Sequence, residues 1–278
     1  MTPLIKMGLL ALVSVMSIWV LACAMLIANR ADLIYAFRPG VDASRVVELP
    51  NGQITKVSAK DGTELTVWFV PPTRTGLVVL FFMGNAGHLP ASATRLAQLV
   101  HQGHGVAALN YRGAGGAPGE PSEEAITEDA VVLYDALDAI MGDRIPVESR
   151  VIYGTSLGSA VSVQLAARRP SGGVVLGAPF ARLCEAGQHH YPYIPVCWIL
   201  PDNRWASIDR IAQIDAPLLI LHGERDDVIP ISQAEKLFDA AREPKSFIRY
   251  PEGRHADLRL YGSGIAIMEW LDETVLGN

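Results

Sequence analysis

Val151-Ile152-Tyr153-Gly154-Thr155-Ser156-Leu157-Gly158 joins an apolar run to a stretch of helical composition, and its reading decides the fold. A Gly-x-Ser-x-Gly pattern in that setting predicts a strand that reverses sharply into a helix, with Ser156 held out at the turn. The spacing has a steric reason. A serine at such a turn takes a strained backbone conformation, and side chains two residues to either side would collide as the chain reverses. Glycine at 154 and 158 removes both collisions. In a chain with 25 glycines the pattern alone carries little weight, so its meaning rests on its surroundings.

Working outward, apolar runs of buried-strand type occupy 77–82, 105–109, 150–153, 173–177, 217–222 and 246–250. Stretches with helical spacing occupy 91–101, 122–141, 158–168, 231–241 and 264–273. Ser122 followed by Glu123 and Glu124 is a helix start, with acidic residues at the positive end of the helix dipole. Two earlier strands are predicted at 46–49 and 66–70, with Asp61-Gly62 as a tight turn between them. Apolar strands alternating with helices predict an α/β architecture. Its core is a doubly wound, mostly parallel sheet of about eight strands, with antiparallel strands at one edge. An insertion at about 180–212 interrupts the alternation and holds His189, His190, Tyr191, Tyr193, Trp198 and Trp205. It reads either as a short lid or wall over the site, or as an ordinary packed excursion.

A serine hydroxyl becomes a useful nucleophile only when a base removes its proton and an acid fixes that base. Both partners follow Ser156 in the chain. The turn His222-Gly223-Glu224-Arg225-Asp226-Asp227 follows one strand, and Gly253-Arg254-His255 follows the next. Strand ends on one edge of such a sheet are where ligands bind. His255 is the candidate base, and Asp226 is preferred to Asp227 as the acid. His222 reads as structural, while His101 and His104 read as surface residues beside a helix end. Acyl transfer also needs two donors for the oxyanion. The backbone N–H of Leu157 and that of Asn85, in the loop after 77–82, are the candidates. Met83 and His88 flank that loop and are candidates for lining the pocket. This chemistry requires no cofactor, and no Cys/His spacing resembles a metal site.

The chain has 278 residues, half of them hydrophobic, and a net charge of −6 without a basic stripe, so nucleic acid is not expected as a partner. Residues 7–28 carry no charge; as a helix they extend about 33 Å, enough to cross a hydrocarbon core of about 30 Å. A single-pass anchor is preferred to a cleaved signal or a lipidated Cys23, because the apolar run continues past Cys23. This divides the chain into an anchor and linker at 1–38 and a catalytic unit at 39–278. Lys6 lies on one side of the span, and Arg30, Arg38 and Arg45 on the other. That slightly favours a cytoplasmic catalytic unit and leaves the side open. Cys184 and Cys197 read as two buried free thiols in preference to a disulfide.

With these residues in place, the chain resembles the α/β-hydrolase superfamily over about residues 45–275. It is most similar to a membrane-anchored branch that includes serine-aminopeptidase-like hydrolases and relatives of the protein depalmitoylases. The resemblance rests on several linked motifs: Phe82-Met83-Gly84-Asn85-Ala86-Gly87, Asn110-Tyr111-Arg112-Gly113, the stretch 154–158, His222 to Pro230, and Gly253 to His255. One departure stands out. The family usually has His where this chain has Met83, which bears on the hydrogen bonding inside that loop. The resemblance implies a serine hydrolase acting on a carboxylic ester or thioester through an acyl-enzyme, with a small-molecule or lipid-like acyl substrate met at a membrane. An amidase or aminopeptidase is the nearest alternative. A non-catalytic, membrane-tethered binding protein on the same fold is the third reading.

Overall fold

Strand direction separates the first hairpin from the rest of the sheet. In the computed structural model, which describes residues 2–37, 43, 45–46, 48–73, 76–85, 87–199 and 204–277, β1 (Gln53–Ser58) and β2 (Glu64–Val70) pair antiparallel. Between them Gly62 takes a left-handed φ of 85°, which the tight turn requires. β3 (Val78–Phe82), β4 (Gly105–Leu109), β5 (Arg150–Thr155), β6 (Gly173–Gly177), β7 (Leu218–Gly223) and β8 (Lys245–Tyr250) run parallel. β3, β4, β6 and β7 are buried at every position, as continuous apolar strands covered on both faces must be. The strand order β1-β2-β4-β3-β5-β6-β7-β8 makes this the α/β-hydrolase fold with an eight-stranded, mostly parallel sheet.

The helices, in chain order, are α1 (Pro3–Ala28), α2 (Arg30–Ile34), α3 (Leu89–His101), α4 (Glu123–Asp135), α5 (Leu137–Met141), α6 (Leu157–Ala166), α7 (Leu183–His190), α8 (Val196–Ile199), α9 (Ile231–Ala240) and α10 (Ser263–Trp270). The crossover through α3 leads from β3 back to β4, whereas those through α6 and α9 lead in the opposite direction along the sheet. Right-handed crossovers therefore put α3 on one face and α6 and α9 on the other. The reversal falls between β3 and β5, and the crevice it opens is where such sheets bind ligands. Ser122 caps α4 by accepting the Ala125 N–H at 3.1 Å.

Four expectations change. The strand expected at 46–49 is not there among the described residues; Val47 itself lies outside them. Glu48 and Asn51 take φ of 54° and 55°, and Gly52 N–H bonds the Leu49 carbonyl, so the chain turns before β1 begins. The helix expected over 122–141 breaks at Ala136 into α4 and α5. His104 is buried: its Nδ1 accepts the Leu77 N–H at 3.2 Å, and burial lowers its pKa. Cys184 and Cys197 form a disulfide between α7 and α8 instead of standing as free thiols.

α1 is a 26-residue apolar helix with none of its residues buried. Its last turns nevertheless touch the remainder of the protein. Trp19 Nε1 donates to the Tyr193 carbonyl at 2.8 Å, and α1 packs against α8. One residue, Asn29, separates it from α2, whose Ile34 is buried in the core with the adjacent Tyr35.

Candidate active site

β5 ends at the crevice, and Ser156 follows it with φ 53° and ψ −121°, a conformation that costs a non-glycine residue of order 1–3 kcal/mol. Its surroundings hold it there: Ser156 N–H donates to the Gly177 carbonyl at 2.8 Å, and Ser159 Oγ donates to the Ser156 carbonyl at 2.5 Å. The two glycines do different work. A Cβ on Gly154 would collide with the Gly158 carbonyl and Ser162 Oγ, inside the turn. A Cβ on Gly158 would collide with the carbonyls of Phe82 and Met83, so that glycine lets α6 lie close to the exit of β3.

The ends of β7 and β8 bring two more side chains to the same edge. His255 Nε2 lies 3.0 Å from Ser156 Oγ, and His255 Nδ1 lies 2.8 Å from Asp226 Oδ2. Because that carboxylate accepts, Nδ1 carries the proton and the Nε2 lone pair faces the hydroxyl. Asp226 is fixed from its other side too, where Oδ1 accepts the N–H groups of Val228 at 2.9 Å and Ile229 at 2.8 Å. Burial alone would raise the Asp226 pKa. The hydrogen bonds from His222 and His255 outweigh it and hold the carboxyl well below the usual carboxylate range. Asp227 points outward, its carboxylate 3.8 Å from Arg254. His222 is fully buried; its Nε2 faces the Ile229 carbonyl at 2.9 Å and Asp226 Oδ2 at 3.3 Å, so it steadies the acid from behind.

The loop after β3 lies across Ser156, with Gly84 so near that an added Cβ would sit 3.3 Å from the serine Cβ. Met83 does not leave this loop loose. Its side chain is buried and its carbonyl accepts the Tyr111 hydroxyl at 2.9 Å, while Gly87 N–H donates to the Gly84 carbonyl at 3.1 Å. Ala86 lies outside the described residues. The neighbouring Arg112 makes a bidentate pair with the buried Asp129 and reaches Asp61 in the first hairpin, tying this end of β4 to α4. His88 lines neither of the cavities at Ser156; it caps α3, its Nδ1 accepting the Ala91 N–H at 3.0 Å.

Two cavities meet at Ser156 and Asn85. The first, of about 240 Å³, is mostly apolar and is bounded by Leu157, Phe180, Leu183, Val196 and Ile199. One part of its wall was not foreseen: Leu26 at the end of α1, with Arg30, Leu33 and Ile34 of α2. Arg30, Leu33 and Ile34 share one face of the short α2, while Leu26 comes from α1 across the break at Asn29, so no single periodicity marks the four. The second cavity, of about 280 Å³, lies on the other side of Ser156, bounded by Met83, Arg95, His255 and Ile267 among others. Among the described residues no group of three or more His, Cys, Asp or Glu side chains is arranged to hold a metal ion.

Several known proteins are similar to this chain. The family described as serine aminopeptidase, S33, matches residues 73–196 and 206–259. An uncharacterized protein of Mycobacterium tuberculosis is 38% identical over 258 residues, covering 90% of each chain. The lysophosphatidylserine lipase ABHD12 of Danio rerio is 32% identical over 221 residues, which are 71% of this chain and 55% of that protein. Among solved structures, an esterase of Pyrococcus furiosus superposes with a TM-score of 0.70 at 14% identity, over 86% of this chain and 98% of its own, a likeness of fold.

Proposed function

Since the chain belongs to the serine aminopeptidase S33 family of α/β-hydrolases, we propose that it is a serine hydrolase cleaving a carboxylic ester or thioester of a lipid-like acyl group at a membrane. His255 Nε2 takes the Ser156 proton as Oγ attacks the acyl carbonyl. Asp226 holds the imidazole in the needed tautomer and stabilises its positive charge. The backbone N–H groups of Leu157 and Asn85 receive the oxyanion. His255 then gives the proton to the leaving alcohol or thiol, and a water molecule, deprotonated by the same imidazole, releases the acid from Ser156. The observation that carries this reading is the continuous path from Asp226 through His255 to Ser156, with contacts of 2.8 and 3.0 Å.

The first cavity is our acyl site. It is mostly apolar, with the end of α1 and one face of α2 for one wall, and the lipase relative acts on lysophosphatidylserine, by its name. In this reading α1 is an anchor and 39–278 form the bulk of the hydrolase unit, while the linker part of 1–38 is no free tether, since Ile34 and Tyr35 pack into the core. The insertion at about 180–212 serves as a lid over the acyl site. Aminopeptidase action ranks lower. Among the described residues lining either cavity there is no Asp or Glu to receive a substrate ammonium.

A fluorophosphonate probe tests the chemistry: the wild type should label and Ser156→Ala should not. A folded wild type that stays unlabelled rejects the enzyme reading. Among p-nitrophenyl esters, turnover should rise with acyl length and exceed that of amino-acid anilides. Cleavage of the anilides alone would favour the aminopeptidase.

A further inference from the structure

The proposed chemistry places one half of the ester in the apolar cavity and leaves the other half facing the second cavity, beyond Ser156. Resting on that reading, the character of the second cavity describes the leaving group. Its polar lining includes Ser92, Arg95, Thr155, His255 and Ser263, and among the described residues it has no carboxylate.

Arg95 stands apart from the arginines held in ion pairs inside the molecule. Arg112 is paired with Asp129 and Asp61, and Arg150 with Asp138. Arg95 lies over the rings of Phe81 and Tyr153, 5.8 and 5.9 Å from their centroids, and its Nη1 lies 3.4 Å from Thr155 Oγ1. Those partners orient the guanidinium without neutralising it, and among the described residues it forms no ion pair. Thr155 adjoins Ser156 in the chain, and Arg95, Thr155 and Ser156 all line this cavity. A cation partly withdrawn from water and left without a counter-ion is unfavourable until an anion arrives. A planar guanidinium held near two aromatic rings can meet an oxyanion with a fork of N–H donors.

We propose that the second cavity is a leaving-group site, in which Arg95 binds an oxyanion carried by the alcohol or thiol half of the substrate. Arg95 is then a specificity-determining residue that selects anionic over neutral leaving groups. Phosphate and carboxylate share the chemistry, and the experiment separates them.

The test is protection of Ser156 from a neutral fluorophosphonate, using the full chain in detergent micelles, with glycerol, glycerate or sn-glycerol 3-phosphate added. At least one anion should slow labelling at concentrations where glycerol has no effect, and the better of the two identifies the oxyanion. In Arg95→Gln, with protection measured against that variant's own unprotected rate, the concentration needed should rise roughly ten- to hundredfold. Arg95→Lys, which keeps the charge and loses the fork, should fall between. Equal effects of glycerol and both anions on the wild type overturn the inference without recourse to any variant, as does unchanged protection in Arg95→Gln. A wild type that never labels brings down the hydrolase reading, and this inference with it. Labelling without anion protection brings down only the inference.

Discussion

The two sides of Ser156 are built in different ways. On the sheet side, each proposed catalytic group is fixed by directional contacts. The serine is held through its backbone, Asp226 by two N–H groups and two imidazoles, and the loop at Met83 by a tyrosine hydroxyl. On the helical side, the acyl cavity is enclosed by α1–α2 and α7–α8, segments far apart in sequence. Apolar contact and the Trp19–Tyr193 hydrogen bond join them, and one disulfide ties α7 to α8. Directional bonds with short tolerances suit a reaction centre, whereas apolar walls set volume and tolerate change. Alterations to the first side should therefore show in the rate of chemistry, and alterations to the second in the choice of substrate.

The strongest challenge to that division is Asp226→Asn, which can still accept the two N–H groups but no longer holds His255 in the right tautomer. It should lower kcat on a good ester by about 10⁴-fold while thermal unfolding remains cooperative. A loss under tenfold would mean that the sheet side is less exacting than its geometry indicates. The same residue predicts a pH effect on stability. Its folded pKa is depressed, so its ionised form contributes stability that is fully present above the unfolded value of about 4 and is lost as pH falls through the folded value. Wild type should lose stability on acidification below about pH 4 more steeply than Asp226→Asn, as followed by urea denaturation. Parallel profiles would contradict the assignment.

Gly158→Ala pushes a methyl group towards the carbonyls of Phe82 and Met83 and should cost about 1–3 kcal/mol in stability, with labelling of Ser156 reduced as β3 and α6 move apart. On the helical side, Leu26→Trp should shorten the preferred acyl chain in the ester series and leave fluorophosphonate labelling within a few-fold of wild type. An equal fall for all chain lengths would show that the α1 wall supports the chemistry and not only the choice of substrate. The smallest effect is expected from Trp19→Phe, which removes the bond to the Tyr193 carbonyl. It should cost about 1 kcal/mol and make Trp198, already 88% exposed, slightly more accessible to quenchers.

Legibility in the sequence follows the same divide. The sheet and the Ser156 turn are readable because steric exclusion and continuous burial leave marks on local composition. Gly154, Gly158 and runs such as Val78–Phe82 admit few alternatives. β1 escaped because an edge strand needs little apolar character. Most of its residues are exposed, and the apolar 46–49 stretch beside it was the more conspicuous candidate. His104 escaped because its burial comes from packing beside Leu77, a contact across 27 positions. The Cys184–Cys197 pair escaped because separation along a chain does not fix a distance in space. The acyl wall is the largest omission. A helix apolar all round hides which of its faces meets another surface, and only tertiary contact singles out Leu26.

The shortness of the connection after α1 has a kinetic consequence. Ile34 and Tyr35 enter the core within seven residues of Ala28, and Trp205 Nε1 bonds the Tyr35 hydroxyl at 3.2 Å. With α1 as the proposed anchor there is no slack tether, so the reaction centre is mounted at a fixed height above the bilayer and cannot sweep the surrounding solution. Substrate must then arrive by lateral diffusion, and turnover should follow its mole fraction in the membrane rather than its bulk concentration. A soluble form cut after residue 38 would lose that dependence along with one wall of its own cleft.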